Sequence, residues 1–184
     1  DIEMSFIDEE DIFSYMEGLT RHVFKSVRGI DLPDPFPRLT YADAMEIYGS
    51  DKPDLRYGMQ LQDVKDFTDA SDFNAFKSAE KVKGIIIEGG AKYSRKNIDE
   101  LTDFVKKYKA KGLAWMKKEK GTFIGGISKF FSENLQKTMF EKLSVNDGDI
   151  LFMIGDYSSI VLNALGHLRV EIAKREALTN KDDF

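Results

Sequence analysis

Two carboxylates at the start of the chain, Asp1 and Glu3, are the first side chains whose type and spacing could do chemistry. They lie in the segment DIEMSF, where Ile2, Met4 and Phe6 alternate with polar residues, the period of a strand with one buried face. On such a strand both carboxylates project from the same face. Two neighbouring acids can bind an ammonium group or a metal ion, or share a proton. The structural alternative is an exposed polar strand face.

A second group of candidates is the set of cationic side chains between residues 92 and 120. This segment holds ten Lys or Arg residues against four acids, although the whole chain carries a net charge of −5. Residues 1–20, in contrast, hold seven acids and no base. Because phosphates attract cations, we expect any nucleic-acid contact in the basic segment.

One end of the basic segment could bind a phosphate. The stretch IIIEGGAKYSRKNIDEL runs from an apolar strand through two glycines to Ser94, a predicted helix N-cap. Lys92, Arg95 and Lys96 flank the helix start, where free amide groups and cations together suit a phosphate. The structural alternative is a tight strand-to-helix turn that needs the backbone freedom of glycine. No Walker-type lysine or dinucleotide fingerprint accompanies the glycines.

At the other end of the predicted helix, Lys106, Lys107, Lys109 and Lys111 form a basic run. Cations at this position complement the helix macrodipole, so the alternatives are a nucleic-acid contact and an ordinary solvated surface. Trp115, the only tryptophan, falls in the strand-like segment LAWMK. We interpret it as a core residue in preference to a platform for base stacking.

The composition limits the classes of protein to which the chain can belong. Its 184 residues are enough for one or two domains, and 42% hydrophobic with 32% charged residues is typical of a folded domain. The lack of cysteine excludes disulfides, thiol nucleophiles and thiolate metal sites. The longest apolar runs are strand-sized, far short of the roughly 20 residues that cross a bilayer. Because the chain begins at Asp1, we expect it to be a piece of a longer protein.

Hydrophobic spacing and cap signals predict the elements that position these residues. Asp8 begins a helix that ends at Gly29, and Thr40 begins a short helix that ends at Gly49. Between them DLPDPFPR, with three of the four prolines, predicts an extended connector. Alternating strands and helices beyond residue 61 predict a two-layer α+β module. We expect its strands at about 82–88, 112–118 and 150–155, and its helices at about 95–109, 132–143 and 158–176.

Six motifs, in this order, resemble the middle of the bacterial-type aspartyl-tRNA synthetases, a family of class II enzymes. They are DIEMSF, DLPDPFPRLTYADAMEIYGSDKPDLR, GGAKYSRKNIDEL, KGLAW, DGDILF and NALGHLR, followed by the tail LTNKDDF. The resemblance covers essentially all 184 residues. It implies that residues 61–165 form the GAD insertion domain, an α+β fold with a mixed sheet and helices. Residues 1–60 would then be a piece of the catalytic core, and 166–184 the segment that returns to it.

The resemblance also implies a function, the ATP-dependent aspartylation of tRNA. The implied partners are tRNA(Asp), aspartate and ATP, with Mg²⁺ as cofactor, in a cytoplasmic homodimer without a membrane partner. Asp1 matches the family aspartate that holds the substrate α-ammonium, a role suited to a charge-assisted hydrogen bond. Glu3 matches a neighbouring acid near the nucleotide and metal. No complete catalytic set is implied for this piece, so we expect it to be inactive alone, with no bound cofactor.

The stretch YGSDKPDLRYG, residues 48–58, looks like the boundary between the core and the insertion. Its serine and aspartates can hydrogen-bond local backbone groups and fix the turn. The alternative function is a free-standing, noncatalytic adaptor that uses the same module to bind tRNA or a protein. In either case the cations that could contact tRNA or a partner are Lys52, Arg56, Lys92, Arg95, Lys96, Lys106, Lys107 and Lys109.

Overall fold

The structure, a computed structural model, describes residues 2–179. These residues form two compact units, one before residue 40 and one from residue 40 onward. None of the described residues before residue 40 is buried, so the hydrophobic cores belong to the second unit.

The first unit is built on one long helix, α1 (Glu9–Arg28). Its N-cap, Asp8, accepts a hydrogen bond from the amide of Asp11, whose own carboxylate accepts one from the amide of Asp8. This capping box satisfies amide groups that have no partner within the helix. The helix ends at Gly29, which adopts φ 68°, a conformation that glycine enters without steric cost. Both predicted helix ends are therefore confirmed.

The predicted strand at DIEMSF is wrong. Residues 2–7 form no strand, and the side chains of Ile2, Met4 and Phe6 are exposed. A strand is stabilised by hydrogen bonds to a neighbouring strand, and residues 2–39 contain no strand that could pair with it. Alternation in the sequence shows which face would be buried, but it does not supply the partner.

The second unit contains a five-stranded sheet, which confirms the α+β class. Every pairing is antiparallel, so the predicted mixed sheet is corrected to an antiparallel one. The alternation of strands and helices does not fix strand direction, because a helix-containing connection can return the chain in either direction. The strands, in the order β1-β2-β5-β3-β4, are β1 (Gln62–Asp63), β2 (Lys81–Ile87), β5 (Ile150–Asp156), β3 (Ala114–Glu119) and β4 (Thr122–Ile124).

Helices cover both faces of the sheet, which makes three layers where two were predicted. Along β5, Phe152 and Ile154 enter one core, whereas Leu151 and Met153 enter the other. Both faces of this central strand are therefore apolar, as expected for a strand buried on both sides. The helices on the first face are α2 (Tyr41–Tyr48), α4 (Arg95–Lys106) and α6 (Ser158–Arg175), and those on the second are α3 (Lys65–Asp69) and α5 (Glu133–Leu143).

The short helix α2 packs directly on α6. Thr40 caps α2 by accepting a hydrogen bond from the amide of Asp43, and Gly49 ends it with φ 68°, as predicted. A Cβ atom added to Gly166 would lie 2.3 Å from the carbonyl oxygen of Gly49, so the two backbones meet with no room for a side chain. Compactness thus groups residues 40–60 with the sheet. The assignment of residues 1–60 to a catalytic core is a statement about the parent enzyme and stays a prediction.

Candidate nucleic-acid interface

Arg169 on α6 organises the loop that contains GSDKPDLR. Its side chain is 1% exposed and donates hydrogen bonds to the carbonyl oxygens of Asp54, Tyr57 and Gly58, at 2.8–3.2 Å. The guanidinium also lies over the rings of Tyr48 and Tyr57, 4.9 and 4.2 Å from their centroids. Burial lowers the pKa of Arg169 from its ordinary value. We call this arrangement the Arg169 clamp.

Sequence reasoning missed the clamp, although a signal was present. Arg169 lies four residues after Leu165 and three before Ile172, both fully buried. Residues at these spacings share one face of a helix, so a charged residue among them must be buried. A buried guanidinium needs acceptors, and the loop carbonyls provide them.

The two predicted contact residues of the loop differ in their surroundings. Arg56 makes a paired contact with Asp54, its Nε 2.9 Å from Oδ1 and its Nη2 2.7 Å from Oδ2. This contact lowers the pKa of the Asp54 carboxyl. Lys52 is exposed, and its amide donates to Ser50 Oγ at 3.2 Å. The predicted local hydrogen bonding of Ser50 and Asp54 is thus confirmed, since the amide of Arg56 also donates to Asp54.

At the start of α4 the predicted phosphate site already has protein partners. The amide of Gly89 donates to the carboxylate of Asp149 at 3.0 Å, and the amide of Ala91 donates to the carbonyl of Gly148. Ser94 and Asn97 complete a capping box at the helix start. Because a carboxylate occupies the position of the anion, the geometry favours the turn interpretation.

Lys92 forms a polar cluster with Tyr93 and Glu176. The Lys92 ammonium lies 2.6 Å from one carboxylate oxygen of Glu176, and the Tyr93 hydroxyl donates to the other at 2.7 Å. The hydrogen bond from Lys92, followed by that from Tyr93, lowers the pKa of Glu176. Burial, together with the nearby carboxylate, raises the pKa of Tyr93. This cluster ties the start of α4 to the end of α6.

Several of the other predicted cations lie in exposed ion pairs along α4. Arg95 Nε is 3.0 Å from Asp99, Lys96 is 4.0 Å from Glu100, and Lys106 is 2.9 Å from Asp103. Such pairs contribute little to stability, so these side chains can exchange their carboxylates for phosphates at small cost. The cations at the start of α4 and those at its end are separated by the length of this twelve-residue helix, roughly 18 Å.

An aromatic groove adjoins the end of α4. The Tyr108 ring stacks on the His167 ring, with centroids 4.0 Å apart and planes at 22°. Phe104 packs beside Tyr108 at 5.3 Å, and the Lys107 ammonium lies 5.8 Å from the centroid of the Phe104 ring. Lys109 is exposed and has φ 70°. We define the aromatic groove by Tyr41, Phe104, Tyr108, His167 and Val170, which line a cleft of about 800 Å³ together with Lys52 and Lys174.

Trp115 is a structural residue, as predicted. It lies on β3, is partly buried and packs against the core beneath α4 and α6. A Cβ added at Gly126 would lie 1.8 Å from the Trp115 carbonyl oxygen, so this turn closes on the tryptophan backbone. The indole is therefore held by packing and by the turn.

Of the two acids at the start of the chain, only Glu3 lies within the part of the chain that the structure describes. Asp1 lies outside the described residues, and Glu3 is exposed in a segment without regular structure. Among residues 2–179 no cluster of three or more His, Asp or Glu side chains could hold a metal ion. Within the same range, no helix has the length and hydropathy needed to cross a membrane.

Comparison with known proteins places the chain among related sequences. Residues 73–165 match the family described as the GAD domain. The whole chain is 44% identical to the aspartate–tRNA(Asp/Asn) ligase of Caldanaerobacter subterraneus subsp. tengcongensis and 42% identical to the aspartate–tRNA ligase of Clostridium perfringens. It spans 32% of the length of each of these relatives. Among solved structures, a hypothetical protein from Pyrococcus horikoshii OT3 aligns with this chain at 20% sequence identity and a TM-score of 0.36. The alignment covers 53% of this chain and 52% of that protein's chain.

Proposed function

Because this chain belongs to the GAD domain family and is similar along its whole length to aspartate–tRNA ligases, we propose that it is the GAD-containing part of such a ligase. The parent protein would use ATP and Mg²⁺ to join aspartate to tRNA in the cytoplasm, as a homodimer. The observation that carries the proposal is 42–44% identity over the full chain, which includes segments on both sides of the GAD match.

The catalytic chemistry is proposed for the parent protein and not for this chain by itself. In that larger protein, Asp1 would hold the substrate ammonium and Glu3 would lie near the nucleotide. The exposure of Glu3 in this structure agrees with a site that needs further chain to enclose it. The full-length protein should aspartylate tRNA(Asp). ATP–pyrophosphate exchange by the 184-residue chain alone would contradict the proposal that this chain has no catalytic activity by itself.

The GAD-containing unit would contribute a contact with tRNA. The basic segment concentrates ten cations, and the run at the end of α4 exposes Lys106, Lys107 and Lys109 beside the aromatic groove. Lys117 and Lys118 are less available, since their ammonium groups donate to the carbonyls of Tyr93 and Val145. The contact is therefore proposed for the end of α4.

Charge reversal tests this contact. In the full-length protein, replacement of Lys106, Lys107 and Lys109 by Glu should weaken tRNA binding. The slope of log K against log salt should fall by roughly 0.7–0.9 for each phosphate that the variant no longer neutralises. The control replaces three exposed lysines outside the basic segment, Lys77, Lys129 and Lys137, by Glu and changes the net charge equally. If both triple variants keep the affinity and salt slope of the wild type, the lysines are only a solvated surface.

A further inference from the structure

We propose that the aromatic groove binds an unpaired base of an RNA strand, and that the stacked pair of Tyr108 and His167 is its platform. The proposal rests on the proposed tRNA contact, because it names the part of the RNA that meets this surface. It also adds stacking to the ion pairs of the proposed tRNA contact, because aromatic rings recognise the face of a base and not the phosphate.

The platform is formed before any ligand arrives. The His167 ring is fixed on one side by Tyr108, and its Nδ1 lies 2.9 Å from the carbonyl oxygen of Asn163, one turn earlier on α6. Tyr108 is itself partly buried against the core beneath α4 and α6. A ring pair that already holds its bound geometry loses little conformational entropy on binding.

The groove also exposes apolar surface that the described chain does not cover. The side chains of Tyr41 and Val170 are 72% and 55% exposed. The polar residues Asn163 and His167 line the same groove. A flat ring partner would cover this surface. A nucleobase has the required shape, with two flat faces and polar edges.

Cations at the rim fit the backbone of an RNA strand. Lys52, Lys107 and Lys174 lie on three different segments around the groove, the first and last in its lining and Lys107 beside Phe104. The two acids in the lining are Asp51 and Glu171, and Glu171 already accepts a hydrogen bond from Arg175 Nε at 2.7 Å. The three cations outnumber the two acids and favour an anionic ligand, whereas the rings favour a base over a bare phosphate.

The base must be unpaired. In a duplex the base faces are stacked on one another and are not available to a protein platform. Single-stranded RNA exposes these faces, and aromatic side chains bind them with little dependence on sequence. The groove should therefore prefer single strands to duplexes of the same length.

The test uses the 184-residue chain, a short fluorescein-labelled oligoadenylate and an RNA duplex of equal length. Tyr41→Ala and His167→Ala should each weaken oligoadenylate binding about tenfold, because each removes one stacking surface. The matched control is Tyr157→Ala, an exposed tyrosine before α6 whose side chain does not cap the helix. Binding of the wild-type chain should also shift the adenine proton resonances upfield, and His167→Ala should abolish that shift.

The outcomes separate this proposal from the proposed function. If Tyr41→Ala, His167→Ala and Tyr157→Ala all bind oligoadenylate with the same affinity, the base platform is overturned. This result is expected if the groove serves a protein partner. Equal weakening of single-strand and duplex binding also overturns it, because only charge would then be at work. If either result occurs while the lysine reversals still weaken tRNA binding, the groove proposal fails and the proposed tRNA contact stands. If the lysine reversals leave tRNA binding unchanged but the aromatic variants weaken oligoadenylate binding, the proposed tRNA contact at the end of α4 fails and the base platform stands.

Discussion

Single side chains decide how the loop and the helices of the second unit are joined, and Arg169 is the most consequential of them. A guanidinium presents its donors in a fixed plane, which allows one side chain to reach three carbonyl groups. The rings of Tyr48 and Tyr57 beside it replace part of the water that the cation loses on burial. The side chain thereby converts a polar, proline-containing loop into a fixed part of the fold.

Arg169→Met should lower the free energy of unfolding by about 2–3 kcal/mol, because loop carbonyls lose their donor while the volume is nearly kept. Urea denaturation measures the change. Arg175→Met is the matched control on the same helix, and it should cost less than about 1 kcal/mol because its ion pairs are partly exposed. A loss no larger for Arg169 than for Arg175 would show that the clamp carries no stability.

Glu176 makes stability depend on pH. Its pKa in the folded chain is lowered by Lys92 and Tyr93, so its contribution is complete above the unfolded pKa, near 4.5. The contribution is lost as the pH falls through the lower, folded pKa. Glu176→Gln should therefore cost about 1 kcal/mol at pH 7. The difference from wild type should shrink below about pH 4.5.

Unfolding curves measured between about pH 7 and about pH 3 test this dependence. The control is Glu141→Gln on α5, an exposed glutamate, which should leave the pH profile unchanged. A constant difference between Glu176→Gln and wild type over the whole range would contradict the assignment.

At the scale of elements, the contact between α2 and α6 depends on two glycines. Helix propensity alone predicts that Gly166→Ala would stabilise α6 by about 1 kcal/mol. The added Cβ, however, meets the backbone of Gly49 at 2.3 Å, and the backbone of Gly49 cannot move aside as a flexible side chain would. The cost of such overpacking is typically about 1–3 kcal/mol, so the steric effect wins.

We therefore expect Gly166→Ala to destabilise the second unit by up to about 2 kcal/mol net, measured by thermal or urea unfolding. Gly112→Ala is a suitable control, because a Cβ at Gly112 meets nothing within 4 Å and its φ is not positive. Should Gly166→Ala be as stable as wild type, the close contact between the helices is not needed.

The elements that sequence predicted well are those that local signals determine. Asp8, Gly29, Thr40 and Gly49 each act through hydrogen bonds or backbone angles within a few residues, and all four predictions were confirmed. Strand direction, the third layer and the stack of Tyr108 on His167 depend on residues far apart in the chain. The strand prediction for DIEMSF failed because a strand also needs a pairing partner, which lies outside the reach of local signals.

The candidate interface follows the same division. The excess of cations between residues 92 and 120 could be predicted from composition, whereas their partners could not. Glu176 pairs with Lys92 across 84 residues, and Arg169 reaches Asp54 across 115. Only the helical spacing of Arg169 gave an early sign that a charge would be buried.

At the scale of the whole molecule, stability should be divided unequally between the two units. None of residues 2–39 is buried, so α1 is held by its caps and by ion pairs such as Arg21 with Glu17 and Lys25 with Asp31. An isolated helix of its length is marginal in water. Native-state hydrogen exchange should show amides of α1 exchanging at least about a hundredfold faster than those of β2 and β5. Equal protection of α1 and the central strands would contradict this division.

The position of β5 in the middle of the sheet has a consequence for synthesis on the ribosome. The outer pairs, β1 with β2 and β3 with β4, leave the ribosome before the strand that joins them. The carbonyls of residues 54–58 likewise emerge more than a hundred residues ahead of the guanidinium that binds them. The two strand pairs therefore expose unpaired edges, which can associate with other chains, until β5 and α6 have been translated. The complete sheet and its core can form only after that point.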